Sequence, residues 1–244
     1  MPGTMTAALS LKNSQSPLRG PILAFLLEAA AEMPEEVWPA LGLPTEAAET
    51  LRPALAASPR ALARLSCAYS QTSYGGEPAW LPYFLAADFS ALPARLLLLP
   101  PQALLALGRY AGLTLYCREA AGLLRREDVL ALKEAFGPAS RDFAVRRAPF
   151  LLHEPGRLAG ILGGTLKGDQ SALELISLVN RAARAALAVC AGALAPPLAR
   201  LFLARLPQAA APPSLDEAAW YSLQALLRKL LAREAELKPW AALS

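Results

Sequence analysis

The feature that most constrains this chain is "LPARLLLLPPQALLALGRYAGLTLYC", Leu92 to Cys117, in which a run of leucines is cut by Pro100-Pro101 and then resumes. Proline cannot sit inside a helix but is well placed at its first turn, so the pair ends one helix and starts the next. The second piece, Gln102 to Cys117, is apolar on most of its sides. Its leucines fall at 104, 105, 107, 113 and 115, and it is too short for a bilayer, which asks for roughly 20 apolar residues. Gly108 and Gly112, four apart, leave one stripe without side chains, where a neighbouring helix can come close. This spacing predicts the central buried helix of a bundle.

Other segments repeat the pattern. Helices are expected over Ile22–Met33 behind Pro21, over Thr45–Ala56 with Thr45 as cap, and over Arg60–Ser70 behind Ser58-Pro59. In the amphipathic segment Arg125–Phe136, Val129, Leu130, Leu132 and Phe136 should face inward, with Arg126, Glu127, Lys133 and Glu134 outward; Gly137 stops it. "ASRDFAVRRAPFLL" comes next, with Phe143, Ala144 and Phe150 expected inside and Arg141, Arg146 and Arg147 outside. After "GGTLKGD", Asp169 is the expected cap of a long helix reaching Ala195, and "PLARLFLARLP" forms a shorter one. The tail opens with Ser214 and Glu217 spaced as a capping box. Its stripe of Leu223, Leu226, Leu227, Leu230 and Leu231 must be buried against the chain's own bundle or a partner, and the chain's own bundle is the expected choice, because most amphipathic helices face their own core. Alternating apolar and polar residues are missing and β-branched residues are scarce, so the fold class is all-α: an irregular multi-helix bundle with a C-terminal amphipathic helix.

With 244 residues the chain can bury a sizeable core without staples. Its expected divisions are a disordered leader to Ser16, an N-terminal helical subregion over 17–76, a main helical domain over 77–207, and a linker with the amphipathic helix over 208–244. "SQTSYGGEPAWLP" marks the first main boundary. Near the N-terminus "RGPILAFLLEAAAEM" is interrupted by Glu28, so it reads as an ordinary helix and not as a signal peptide. "AALAVCAGALAPPLA" is short, alanine-dominated and broken by Pro196-Pro197, which argues against a membrane span.

Chemistry-bearing residues are few. There is one histidine, His153, and three cysteines, Cys67, Cys117 and Cys190, with no C-x-x-C pair. That spacing suits buried thiols in a reducing compartment better than a zinc site, a disulfide framework or a presented nucleophile. "GILGGTLKGD" is not a phosphate loop, because Lys167 is followed by Gly168 and Asp169 where Ser or Thr should ligate magnesium. Glu35-Glu36 and Glu127-Asp128 suit helix first turns, where carboxylates favour the macrodipole. No catalytic residue, cofactor or metal is expected. Net charge is only +4, and the basic residues are not gathered into a stripe with interleaved aromatics. The closest features are Arg125-Arg126 and Arg146-Arg147, which leave a helical regulator binding nucleic acid as the alternative reading.

From Trp80 to Pro207 the order of features resembles a known family. The carriers are "WLP", the leucine-rich helix with Ala111-Gly112-Leu113, the arginine-containing helix ending in Phe136-Gly137, "RDFAVRRAPFLL" with Phe143 and Arg146-Arg147, and "LARLFLARLP". Together they resemble the K component of bacterial type III secretion systems, the YscK/PscK-like family of sorting-platform proteins. The resemblance implies a cytoplasmic, helical, non-enzymatic adaptor beneath the inner-membrane ring of the injectisome. Such a protein connects the cytoplasmic domain of the ring's D component to pods built from the Q component, with the L component alongside. On that reading Arg125, Arg126, Arg141, Arg146 and Arg147 are the expected partner-binding residues. The region up to Gly76 and the Ser214–Leu237 tail depart from the family pattern.

Overall fold

A computed structural model describes residues 83–84, 86–166, 171–206 and 212–243. The helices expected over Ile22–Met33, Thr45–Ala56 and Arg60–Ser70, together with Cys67 and Asp169, lie outside the described residues. Contacts divide the chain into Met1–Phe89 and Ser90–Ser244. Among the described residues the second unit is all-α. Its helices are α1 (Leu92–Leu96), α2 (Pro101–Leu115), α3 (Cys117–Gly122), α4 (Arg126–Phe136), α5 (Ser140–Arg146), α6 (Pro155–Leu162), α7 (Ala172–Gly192), α8 (Pro196–Ala204) and α9 (Glu217–Arg233). Short 3-10 segments cover Ala148–Phe150 and Lys238–Leu243.

The unit is organised around α2 packed on α7. Leu104, Leu107, Ala111 and Leu113 of α2 are wholly buried, as are Leu175, Val179, Ala182, Ala186 and Cys190 of α7. The two helices approach at the glycines: a Cβ on Gly112 would collide with the carbonyl oxygen of Val179 and lie 3.0 Å from its Cγ1. At Gly108 a Cβ would lie 3.0 Å from Leu187 Cδ1 and 3.4 Å from the Ala183 carbonyl. Alanine along α7 does the same from the other side, so little side-chain entropy is lost while the backbones close up. Among the described residues α7 is the one helix long and apolar enough to cross a membrane, and most of that apolar window is buried inside the unit.

A polar clamp joins the two leucine-rich elements that frame this core. The Leu97, Leu98 and Leu99 amides bond back to carbonyls three residues earlier, and Pro100 ends the run. The Leu97 and Leu99 carbonyls have no following helix to pair with, and the Arg205 guanidinium donates to both, at 2.7 and 2.5 Å. Thus the leucine run before Pro100 and the end of "LARL", at Arg205, meet in space. Tyr116 plays a similar part at the end of α2: its buried hydroxyl donates to the Gly164 carbonyl at 2.6 Å and sits where a side chain on Gly163 would fall. Gly164 has φ +95°, a backbone conformation that suits glycine. The glycine pair of "GILGG" is therefore the socket of a tyrosine.

Several expectations are corrected. Ser171, not Asp169, caps α7 by accepting the Glu174 amide at 3.2 Å. Asp216, not Ser214, caps α9 by accepting the Ala219 amide at 2.8 Å. Leu130 and Phe150 face outward, Phe150 with 78% of its surface open; proline at 149 turns the chain into a 3-10 segment, which shifts Phe150 off the buried side of α5. The tail stripe is as expected: Leu223, Leu226, Leu227, Leu230 and Leu231 are fully buried within this unit.

Because the obstacle at Gly112 is backbone and cannot rotate away, Gly112→Ala should cost about 3 kcal/mol, the upper end for overpacking. Gly160→Ala, in the exposed middle of α6 with open space around it, should instead gain about 0.5–1 kcal/mol. Urea denaturation of the two variants checks both signs.

Candidate functional site

The five arginines singled out from the sequence fall into three environments. Arg125 and Arg126 stand exposed at the start of α4, next to Leu124, whose surface is 87% open. Arg141 and Arg146 lie on α5 and line an open groove of about 390 Å³ with Ala121 of α3, Lys133 of α4, Pro138, Asp142 and Val145. Arg147, one residue further on, does not line it. Its guanidinium stacks 5.2 Å from the Phe143 ring and pairs at 2.7 Å with Glu234.

Helical geometry explains the division. Residues 141, 142, 145 and 146 follow a 1, 4, 5 spacing and share one side of α5, while Phe143, Ala144 and Arg147 turn toward the core and the tail. Within the groove Arg141 donates from Nη2 to the Leu123 carbonyl at 3.1 Å, which pins the loop between α3 and α4. Its Nε is buried without a hydrogen-bond partner. Arg146 makes an exposed i, i+4 pair with Asp142 at 3.0 Å, a contact worth only about 0.3–0.5 kcal/mol. The groove therefore presents three cations against one carboxylate. The helical pattern marks Lys133 as an outward residue without placing it in a site. No local signal finds it, since Arg141 and Arg146, which share the groove, lie on a different helix.

Arg147 belongs to a fastening for the tail. Glu234 ends α9 and is only 2% exposed; burial raises its carboxyl above the ordinary range, and Arg147 pulls it back down in part. Two residues on, Glu236 accepts from Arg109 and from the Tyr110 hydroxyl, and Tyr110 stacks edge-on against Phe143 at 4.8 Å. Asp216 pairs with Arg157 at the other end of α9, and the Lys229 ammonium donates to the Leu151 carbonyl at 2.9 Å. Sequence reasoning missed all of these, since the hydrogen-bonded partners lie 59 to 127 residues apart.

Among the described residues, candidate nucleophiles do not gather. Cys117 and Cys190 are buried and free; burial raises the Cys117 thiol and pushes Cys190 up to about 12, so neither is a thiolate near neutrality. His153 is an exposed loop residue. Among the described residues no group of three or more His, Cys, Asp or Glu side chains could hold a metal ion. Comparison of the chain with protein-family models, with curated proteins and with solved structures finds no match.

The Arg147–Glu234 pair has a checkable pH signature. Removing the guanidinium lets the folded-state carboxyl rise further above its unfolded value. A carboxyl raised by folding contributes stability when protonated and loses it as pH climbs from the unfolded to the folded pKa. Arg147→Ala should therefore cost little in acid, where Glu234 is neutral in both proteins, and about 1–3 kcal/mol near pH 7, where a buried carboxylate loses its partner. Urea unfolding at about pH 4.5 and pH 7.5 should show the gap to wild type widening upward, given ordinary carboxylate titration.

Proposed function

We propose that this chain is a non-enzymatic adaptor of a bacterial type III secretion sorting platform. On this reading it is cytoplasmic and peripheral to the inner membrane through its partners, linking the D-component cytoplasmic domain of the ring to the Q-component pods, with the L component alongside. Support comes from the resemblance between Trp80 and Pro207. The observation that carries it furthest is the outer side of α4 and α5, where Arg125, Arg126, Arg141 and Arg146 are interspersed with open Leu124, Leu130 and Val145. Cations beside exposed apolar side chains make an interaction surface: apolar contact supplies affinity, and charge sets orientation and association rate. Arg147 contributes indirectly, by holding the tail, and is set apart from the other four.

Tagged wild-type chain should retrieve the ring and pod proteins from a secretion-competent bacterium. Arg125→Glu/Arg126→Glu/Arg146→Glu, which touches only exposed side chains, should lose at least one of the two neighbours by about tenfold or more while its circular dichroism is unchanged. Retention of both neighbours by the triple variant would remove the arginine assignment. Failure of the native chain to retrieve either would remove the adaptor reading itself.

A further inference from the structure

We infer that the groove between α3, α4 and α5 is a seat for one short amphipathic helix of a partner protein, bearing acidic residues along one edge and apolar residues along its contact face. The assignment rests on the adaptor reading in one respect only, that the chain exists to be gripped by other proteins. Its chemistry is argued from the groove.

The apolar part of the lining is small: Ala121, Pro138 and Val145 offer contact area without side-chain donors that need a partner. The charged part of the lining is mostly cationic, with Lys133 on α4 and Arg141 and Arg146 on α5, and Asp142 already paired with Arg146. Leu130, three residues before Lys133 and hence on the same side of α4, extends the apolar strip. Leu124, largely open to solvent, is the next residue after Leu123, whose carbonyl anchors Arg141. A helix laid along α4, which has 11 residues, would run alongside it for about three turns at 1.5 Å per residue, and helix-in-groove recognition takes its anchors at i, i+3, i+4 and i+7.

The molecule already binds acidic chain in this manner. On its other side α5 uses Arg147 over the Phe143 ring to hold Glu234, while α2 uses Arg109 and Tyr110 to hold Glu236. There, cations flanking apolar surface capture an acidic segment in cis; in the groove the same combination faces outward. A polyphosphate backbone fits less well. It gains nothing from the alanine, proline and valine in the lining, which has no aromatic on which a base could stack.

The test is selection from a displayed library of helical peptides about 16 residues long with randomised faces, panned on the full chain. Winners should combine Glu or Asp with leucine-like anchors at i, i+3 or i+4, and bind a single site. Lys133→Glu/Arg146→Glu should weaken a synthesised winner by about tenfold or more, and Val145→Asp likewise, with circular dichroism unchanged. Arg141 is left intact in these variants because it also anchors the Leu123 carbonyl. Replacing the peptide's acids with their amides should abolish the difference between wild type and the charge-reversed variant. Winners without acidic enrichment, or bound equally by the reversed variant, would overturn the inference. So would a DNA duplex that competes for the site, or concentration-dependent self-association of the chain lost on the same reversal, which would make the occupant nucleic acid or a second copy. Because no secretion machinery enters this experiment, its failure leaves the co-purification result standing, and the reverse.

Discussion

Everything in the Ser90–Ser244 unit depends on how closely α2 can approach α7. Gly112 meets the Val179 backbone with no room for a methyl group, and Gly108 faces Ala183 and Leu187 a turn away. Close approach of two backbones brings many atom pairs into van der Waals range at once, each weak and the sum large. It also sets the spacing at which the flanking leucines meet. Each fully buried leucine contributes about 1.5–3 kcal/mol relative to exposure, but only if the seam keeps its width.

Around that seam, polar groups are used sparingly and at ends. Arg205 closes the carbonyls left open by the Leu97–Leu99 turns, Tyr116 closes the Gly163–Gly164 corner, and Glu234 and Glu236 tie the end of α9 to α5 and α2. Each answers one requirement, that backbone and charged groups taken out of water find partners. The ties also sort the arginines, which bears on function more than their number does. Arg205 and Arg147, on backbone carbonyls and a buried carboxylate, are committed to the fold; Arg141 both anchors the Leu123 carbonyl and lines the groove; Arg125, Arg126 and Arg146 remain at the surface near open leucine and valine. Helix α5 is two-sided: Phe143 and Arg147 look to the tail, and Arg141, Val145 and Arg146 to the groove. A single turn of helix thus separates a fastening from a candidate recognition surface. Adjacent residues Arg146 and Arg147, alike in sequence, have opposite assignments because 100° of rotation per residue sends them to different neighbours.

Much of the fold is legible in the chain. Among the described residues, helical spacing of apolar residues, prolines at first turns and glycine after Phe136 locate α2, α4, α7, α8 and α9, and the tail stripe names its own buried leucines, since these signals act over one or two turns; α3 and α6 are not among the expected helices, because each is too short to repeat an apolar period. The caps at Ser171 and Asp216 each fall two residues from the expected position, because several capping-type residues compete in each stretch and the choice among them depends on where the helix is pulled by its packing. Periodicity alone points Phe150 inward, because it continues a helix that a proline has already redirected.

What the sequence by itself determined, among the described residues, is the all-α class, the small-residue stripe at Gly108 and Gly112 and the buried leucines of α2 and α9, because a helix's period is written into consecutive residues. Only the tertiary structure decided which charge faces which. The partners of Arg205, Arg147 and Arg109 lie more than 80 residues away, and an ion pair or a groove exists only where chain folding brings distant side chains within a few ångströms, a fact no local pattern encodes.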